Sequence, residues 1–208
     1  MDETTRDALE ATLRQQCAQG DFRGAGEAAL RAYGPELFGF LVSMHRSADD
    51  ASEVFAVFSE DVWRGLPRFG WGCTFRTWAY TLARNASNRF LKGRYRRGKG
   101  QVAMSGISQA IALELRTATL TYLQTDHKDR FAALRESLSL EDQTLLILRV
   151  DRGLAWEELA RVMLGEELSP TAEDLKKESA RLRKRFQLVK EKLVTLGKQA
   201  GLFGTKED

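Results

Sequence analysis

Residues 62–85 read VWRGLPRFGWGCTFRTWAYTLARN, and a change of spacing inside this stretch decides the fold. Before it, Val54, Phe55, Phe58, Val62 and Trp63 recur three or four apart, the period of one helix face. Pro67, Gly70 and Gly72 then interrupt the pattern, so Pro67 to Cys73 reads as a loop. After it Phe75, Trp78, Ala79, Leu82 and Phe90 restore the helical period on the inner side of a further helix.

Working outward, Leu37, Phe40, Leu41 and Met44 make an apolar helix face of their own. The first thirty residues read as one or two short helices whose join is loosened by Gly20, Gly24 and Gly26. On the other side, Gly98 to Gly106 is rich in glycine and small polar residues, a linker composition, and Ile107 to Leu123 allows a helix. A second helical unit begins with Phe131, Leu134 and Leu138, and Leu145, Leu146, Leu148 and Val150 form its most apolar stretch. Asp151-Arg152-Gly153 reads as a turn, and Trp156, Leu159, Ala160, Val162 and Met163 as a short helix. Gly165 to Thr171 is a loop in which Ser169 or Thr171 can cap the next helix. That helix carries Leu175, Leu182, Phe186, Val189, Leu193 and Leu196 at spacings of sevens, fours and threes. The expectation is an all-α chain of two small helical domains on a flexible linker. Its parts are an extension over 1–28, a domain over 29–97, the linker over 98–127, a domain over 128–203 and a tail over 204–208.

Net charge is only +3 over 208 residues, but its distribution is uneven. Arg84, Arg89, Lys92, Arg94, Arg96, Arg97 and Lys99 follow one another with no acid between them. Lys176, Lys177, Arg181, Arg183, Lys184, Arg185, Lys190 and Lys192 are accompanied only by Glu178 and Glu191. Asp49, Asp50, Glu53, Glu60 and Asp61 contain no base. Two basic patches and an acidic one fit a chain that binds a polyanion and docks on a protein. The two cysteines, Cys17 and Cys73, make neither a disulfide framework nor a metal site and suit a reducing cytosol. The acidic start is no signal peptide and no apolar run approaches a membrane span, so a cytoplasmic location is expected.

The C-terminal pattern of short apolar helix, turn and basic helix is that of a helix-turn-helix offering Arg, Lys and Gln to a major groove. A solvated hairpin is the alternative, but a solvated helix would interleave Glu with Lys more evenly than Arg181 to Arg185 does. In the first unit, Phe69, Trp71, Phe75, Trp78 and Tyr80 precede Arg84, Asn85 and Arg89. Rings that stack bases beside cations that follow phosphates suit single-stranded nucleic acid. Phe75 and Trp78, three apart, read as core, and Trp71 on its glycine-flanked loop as the exposed ring. His45 and His127 have no ligand spacing, and neither a phosphate-cradling loop nor a nucleophile elbow occurs. No enzyme, metal or cofactor is expected.

These stretches resemble the sigma-70 family, specifically its extracytoplasmic-function (ECF) sigma factors. Asp50 to Phe69, ending Trp-Arg-x-Leu-Pro-x-Phe, and the run Phe75-Arg-Thr-Trp…Ala-Arg-Asn85 are similar to their second region. Leu138 to Arg149, Gly153 to Ala160 and Arg181 to Phe186 resemble their fourth. The resemblance implies a promoter-specificity subunit that binds core RNA polymerase and promoter DNA, both duplex and melted non-template strand. By position, the minus-ten element would meet Trp71, Thr74, Arg76, Arg84, Asn85 and Arg89, with a flipped base held around Gly70 to Thr74. The minus-thirty-five element would meet Arg181, Arg183, Lys184, Arg185 and Gln187. Asp50, Glu53, Phe55, Phe58 and Asp61 would dock on the polymerase clamp, and a separate anti-sigma factor is the partner the family adds for regulation.

The chain departs from the family pattern in three ways. Ala56-Val57 stands where a Gln-Glu pair is usual, and Ser59 where a Phe is. The turn before the recognition helix is about ten residues longer than usual, so that helix can extend backwards or a small one can be added. No zinc-binding or sensory domain is expected to follow. The alternatives are a degenerate sigma-like interaction protein and a stand-alone helix-turn-helix regulator. The latter leaves the aromatic loop and the acidic helix unexplained.

Overall fold

The computed structural model describes residues 1–96, 134–165 and 170–200. The expected linker over 98–127, Arg97, Lys99, Phe131 and the tail over 204–208 lie outside the described residues. The described elements are helical, with no strand among them. They fall into two compact units, the first holding residues 1–96 and 161–165, the second 134–160 and 170–200.

The first unit is built on α1 (Glu3–Ala18), α2 (Phe22–His45), α3 (Ala48–Gly65), a 3₁₀ turn (Leu66–Arg68) and α4 (Phe75–Arg96). Side-chain oxygens open the first three helices. Asp2 accepts from Thr5 N at 2.8 Å, Asp21 from Gly24 N at 2.8 Å, and Ser47 from Asp50 N at 3.1 Å. Each occupies a backbone donor that the helix itself leaves unpaired.

α2 is the central helix and packs on α1, α3 and α4. The sequence predicts a loosened join near Gly24 and Gly26, but one helix runs through both glycines and through Pro35. Packing overrides the local breakers: Ala25, Ala29, Leu30, Tyr33, Leu37, Phe38, Phe40 and Leu41 are all at most 1% exposed. Gly26 serves that packing directly, since a Cβ there would come within 2.3 Å of the Trp63 ring on α3. From α3 the core takes Val54, Phe55, Phe58 and Val62, and from α4 Phe75, Ala79, Tyr80 and Ala83. Phe38 meets Phe55 edge to face, and Phe40 meets Tyr80 in the same way.

The second unit contains α5 (Leu140–Leu146), which continues as a π-helical turn (Ile147–Asp151), then the first residues, 156–160, of α6 (Trp156–Leu164), and α7 (Ala172–Gln199). Gly153, at φ +67°, makes the reversal between the π turn and α6. Leu138, Leu146 and Val189 form a core cluster joined by Phe186 and Leu193. α7 starts with a capping box in which Thr171 and Asp174 exchange backbone bonds. The extra length noted before the expected recognition helix is thus partly helix, since α7 begins ten positions before Leu182 and spans 28 residues.

Candidate nucleic-acid interface

The stretch between α3 and α4 builds an open cleft of about 530 Å³. Phe69 leaves the 3₁₀ turn and stacks on Trp78, centroids 4.5 Å apart and planes 16° from parallel. Gly65 makes room for this, because a Cβ there would lie 2.7 Å from the Trp78 ring. Phe69, Trp78 and Leu82 supply the apolar lining, while Asp61, Arg64, Arg68 and Arg89 supply the charged lining. The three arginines are exposed. Arg64 bonds Glu60 one turn away at 3.2 Å, and Arg89 forms an ion pair with Asp61. Aromatic rings beside three cations can take a planar, uncharged ring together with its anionic attachment.

Of the minus-ten candidates, only Arg89 lines this cleft. Trp71 is half-buried rather than fully exposed, with its ring 4.8 Å from Phe69 and Arg14 5.8 Å above it. Its φ of +54° is left-handed, a conformation that costs a non-glycine residue roughly 1–2 kcal/mol. Thr74 caps α4, its hydroxyl accepting from Thr77 N at 3.2 Å. Arg84 and Asn85 are half-buried on α4.

Arg76 requires a correction. Its residue is 5% exposed, its guanidinium is ion-paired with Glu36, and Tyr80 donates to the same carboxylate at 2.7 Å. A buried pair of this kind ties α4 to α2 and leaves Arg76 without a face towards DNA. Arg64 and Arg68 are cleft residues that the sequence reading does not single out. Their signal is the Trp-Arg-Gly-Leu-Pro-Arg-Phe run itself, whose arginines stay on the outside as the apolar residues turn in.

α3 sorts its acidic patch by face. Phe55 and Phe58, both at 0% exposure, lie in the core and offer nothing to a partner. Glu53 is exposed and Asp50 half-buried, while Asp61 faces the cleft and Arg89. Ala56 and Ser59 are buried too, Ser59 donating to Phe55 O at 2.8 Å, so two of the three residues that depart from the family pattern on this helix are internal. Only Val57 remains partly exposed.

On α7, Arg185 is held by α5: its Nε donates to Asp142 and its Nη1 to Glu141, both at 2.6 Å. Burial alone would raise the Asp142 carboxyl, but bonds from Arg185 and Ser139 and the Arg185 charge hold it below the usual range. Arg181 is shared between Glu178 at 2.7 Å and Glu141 at 3.2 Å. Arg183 lies 5.6 Å over Trp156, whose ring also takes Arg149 at 4.7 Å and the edge of Phe186. Lys184 and Gln187 are exposed. The face divides into two arginines engaged by acids and a set of Arg183, Lys184 and Gln187 turned to solvent.

Cys17 and Cys73 are half-buried and not joined in a disulfide, and burial pushes the Cys17 thiol up. Among the described residues no His, Cys, Asp and Glu cluster could hold a metal, and no helix is long and apolar enough to cross a membrane.

Searches of curated proteins and of solved structures return no match. Residues 29–97, from within α2 to just past α4, match the family described as Sigma-70 region 2.

Proposed function

We propose that this chain is an ECF-type sigma factor. A Sigma-70 region 2 domain suggests a role in transcription initiation, and domains of that description bind core RNA polymerase and promoter DNA. In this reading the first unit melts the minus-ten element and takes a flipped non-template base into the cleft of Phe69, Trp78, Arg64, Arg68 and Arg89. Extruding a base costs a few kcal/mol, which stacking and phosphate contacts must offset. The flipped-base site is placed in this cleft, whose lining includes Gly70 of the expected Gly70–Thr74 pocket, and the cleft is the observation that carries the reading. The outward face of α3, with Asp49, Asp50, Glu53 and Val57, is the surface offered to the polymerase clamp. In the second unit α6 braces α7 as a helix-turn-helix, and Arg183, Lys184 and Gln187 read the minus-thirty-five element. The protein works in the cytoplasm, does no chemistry itself and needs no cofactor; an anti-sigma factor is its natural regulator.

Binding of the full chain to a fluorescent single-stranded minus-ten oligonucleotide across a salt series tests the cleft. Removing Arg64 and Arg68 together should weaken binding and lower the slope of log K against log salt by about 0.7 for each phosphate that is no longer neutralised. An unchanged affinity and slope would remove the cleft from the strand path.

A further inference from the structure

α1 lies outside the matched segment 29–97, yet its Glu10 makes the hydrogen bonds that set the start of α4. Phe75 N donates to Glu10 Oε2 at 2.7 Å and Arg76 N to Glu10 Oε1 at 3.0 Å, across 65 and 66 residues of chain. Tyr33 OH donates to the same carboxylate at 2.7 Å, and burial followed by that bond pushes the phenol well up. Thr74 takes the next free donor, from Thr77. A remote carboxylate has thus taken over the first two amides of α4, where its charge also opposes the positive end of the helix dipole. One turn along α1, Arg14 covers the ring of Trp71. These contacts grip both ends of the segment 71–75, whose Trp71 is held at a left-handed φ. The flanking Gly70 and Gly72 have open space around them and do not hold it by packing.

Resting on the single-strand reading above, we propose that α1 is a positioning strap: Glu10 and Arg14 hold the 69–75 segment, Arg14 through the Trp71 ring that packs on Phe69, in the shape that presents Phe69 to a base in the cleft. Neither residue need touch DNA. Glu10 acts through the backbone of Phe75 and Arg76, and Arg14 through the Trp71 ring.

Two readouts on the full chain test this. Hydrogen exchange reads the grip without any DNA, and affinity for a single-stranded oligonucleotide against its abasic counterpart reads the purpose. Glu10→Gln keeps the size of the side chain but replaces one acceptor by a donor facing a backbone amide. It should speed exchange at Phe75 and Arg76 about tenfold with the α2–α3 core still protected. It should also cut the base-over-abasic preference by about tenfold while leaving the salt slope unchanged. Arg14→Ala, at an exposed position, should lower the same preference without touching the core, and it decides the matter if the Glu10 variant fails to fold. Unchanged exchange at Phe75 and Arg76 would overturn the strap. So would faster exchange with the base preference intact in both variants, since the grip would then have no bearing on binding. If the unaltered chain shows no base preference at all, the single-strand reading falls and takes the strap's purpose with it. Exchange at Phe75 and Arg76 then reports on the grip alone.

Discussion

Arg76 and Arg89 stand thirteen residues apart on α4, and the neighbours of each decide what its charge can do. Arg76 is enclosed with Glu36 and Tyr80, with Tyr80 also 5.4 Å beneath its guanidinium, so its charge is committed to holding α4 to α2. Removing it leaves the partly buried Glu36 carboxylate without its cation, and breaking such a pair costs up to about 3–5 kcal/mol. Arg76→Ala should therefore lower the denaturant midpoint of the first unit strongly, and a loss below about 1 kcal/mol would contradict the structural role. Arg89 keeps an exposed guanidinium beside Asp61, and an exposed pair of this sort is weak enough for a phosphate to replace the carboxylate. Sequence separates the two poorly. Both sit on one basic helix, and what distinguishes them is Glu36, forty residues before Arg76, which no local spacing connects to it. Phe55 and Phe58 mislead for the opposite reason. The acids around them draw attention to an outer face, while their own spacing with Val54 and Val62 already describes the inner one.

At the scale of elements, the helices themselves are legible because their apolar residues keep a helical period, and the loop because Pro67, Gly70 and Gly72 break it. The continuity of α2 is not legible, since Gly24, Gly26 and Pro35 are local breakers whose tolerance depends on Trp63 and the core. The cleft is half legible: its rings and arginines are visible as a run, but the stacking of Phe69 on Trp78 depends on how α3 and α4 meet. The bond from Glu10 to the start of α4 leaves no signal in sequence at all.

α5 and α7 are joined by Arg185 with Asp142 and Glu141. Because the folded Asp142 carboxyl lies below its unfolded value near 3.9, its contribution is fully present above about pH 4 and is lost as pH falls through the folded value. Asp142→Asn should destabilise the second unit at neutral pH and flatten its loss of stability on acidification. A parallel acid limb in both proteins would show that the pair contributes nothing. On the other side of α7, reversing Arg183 and Lys184 to Glu should weaken binding of duplex promoter DNA while binding to core polymerase persists. Undiminished duplex affinity, measured by anisotropy, would take those residues off the reading face.

For the whole molecule, a net charge of +3 understates two strongly basic segments and one acidic helix, each suited to a different contact. The proposed function needs all of them in one protein: a polymerase surface on α3, a single-strand site between α3 and α4, and a duplex site on α7. Each could exist without the others, so only a reaction that requires them together probes the proposed function as a whole. That reaction is transcription from a promoter library by core RNA polymerase with and without the full chain, with start sites read by sequencing. Recurring new start sites, each preceded by shared minus-ten and minus-thirty-five motifs, are the predicted result. No added transcripts from polymerase to which the chain demonstrably binds would contradict it and leave a sigma-like interaction protein in its place.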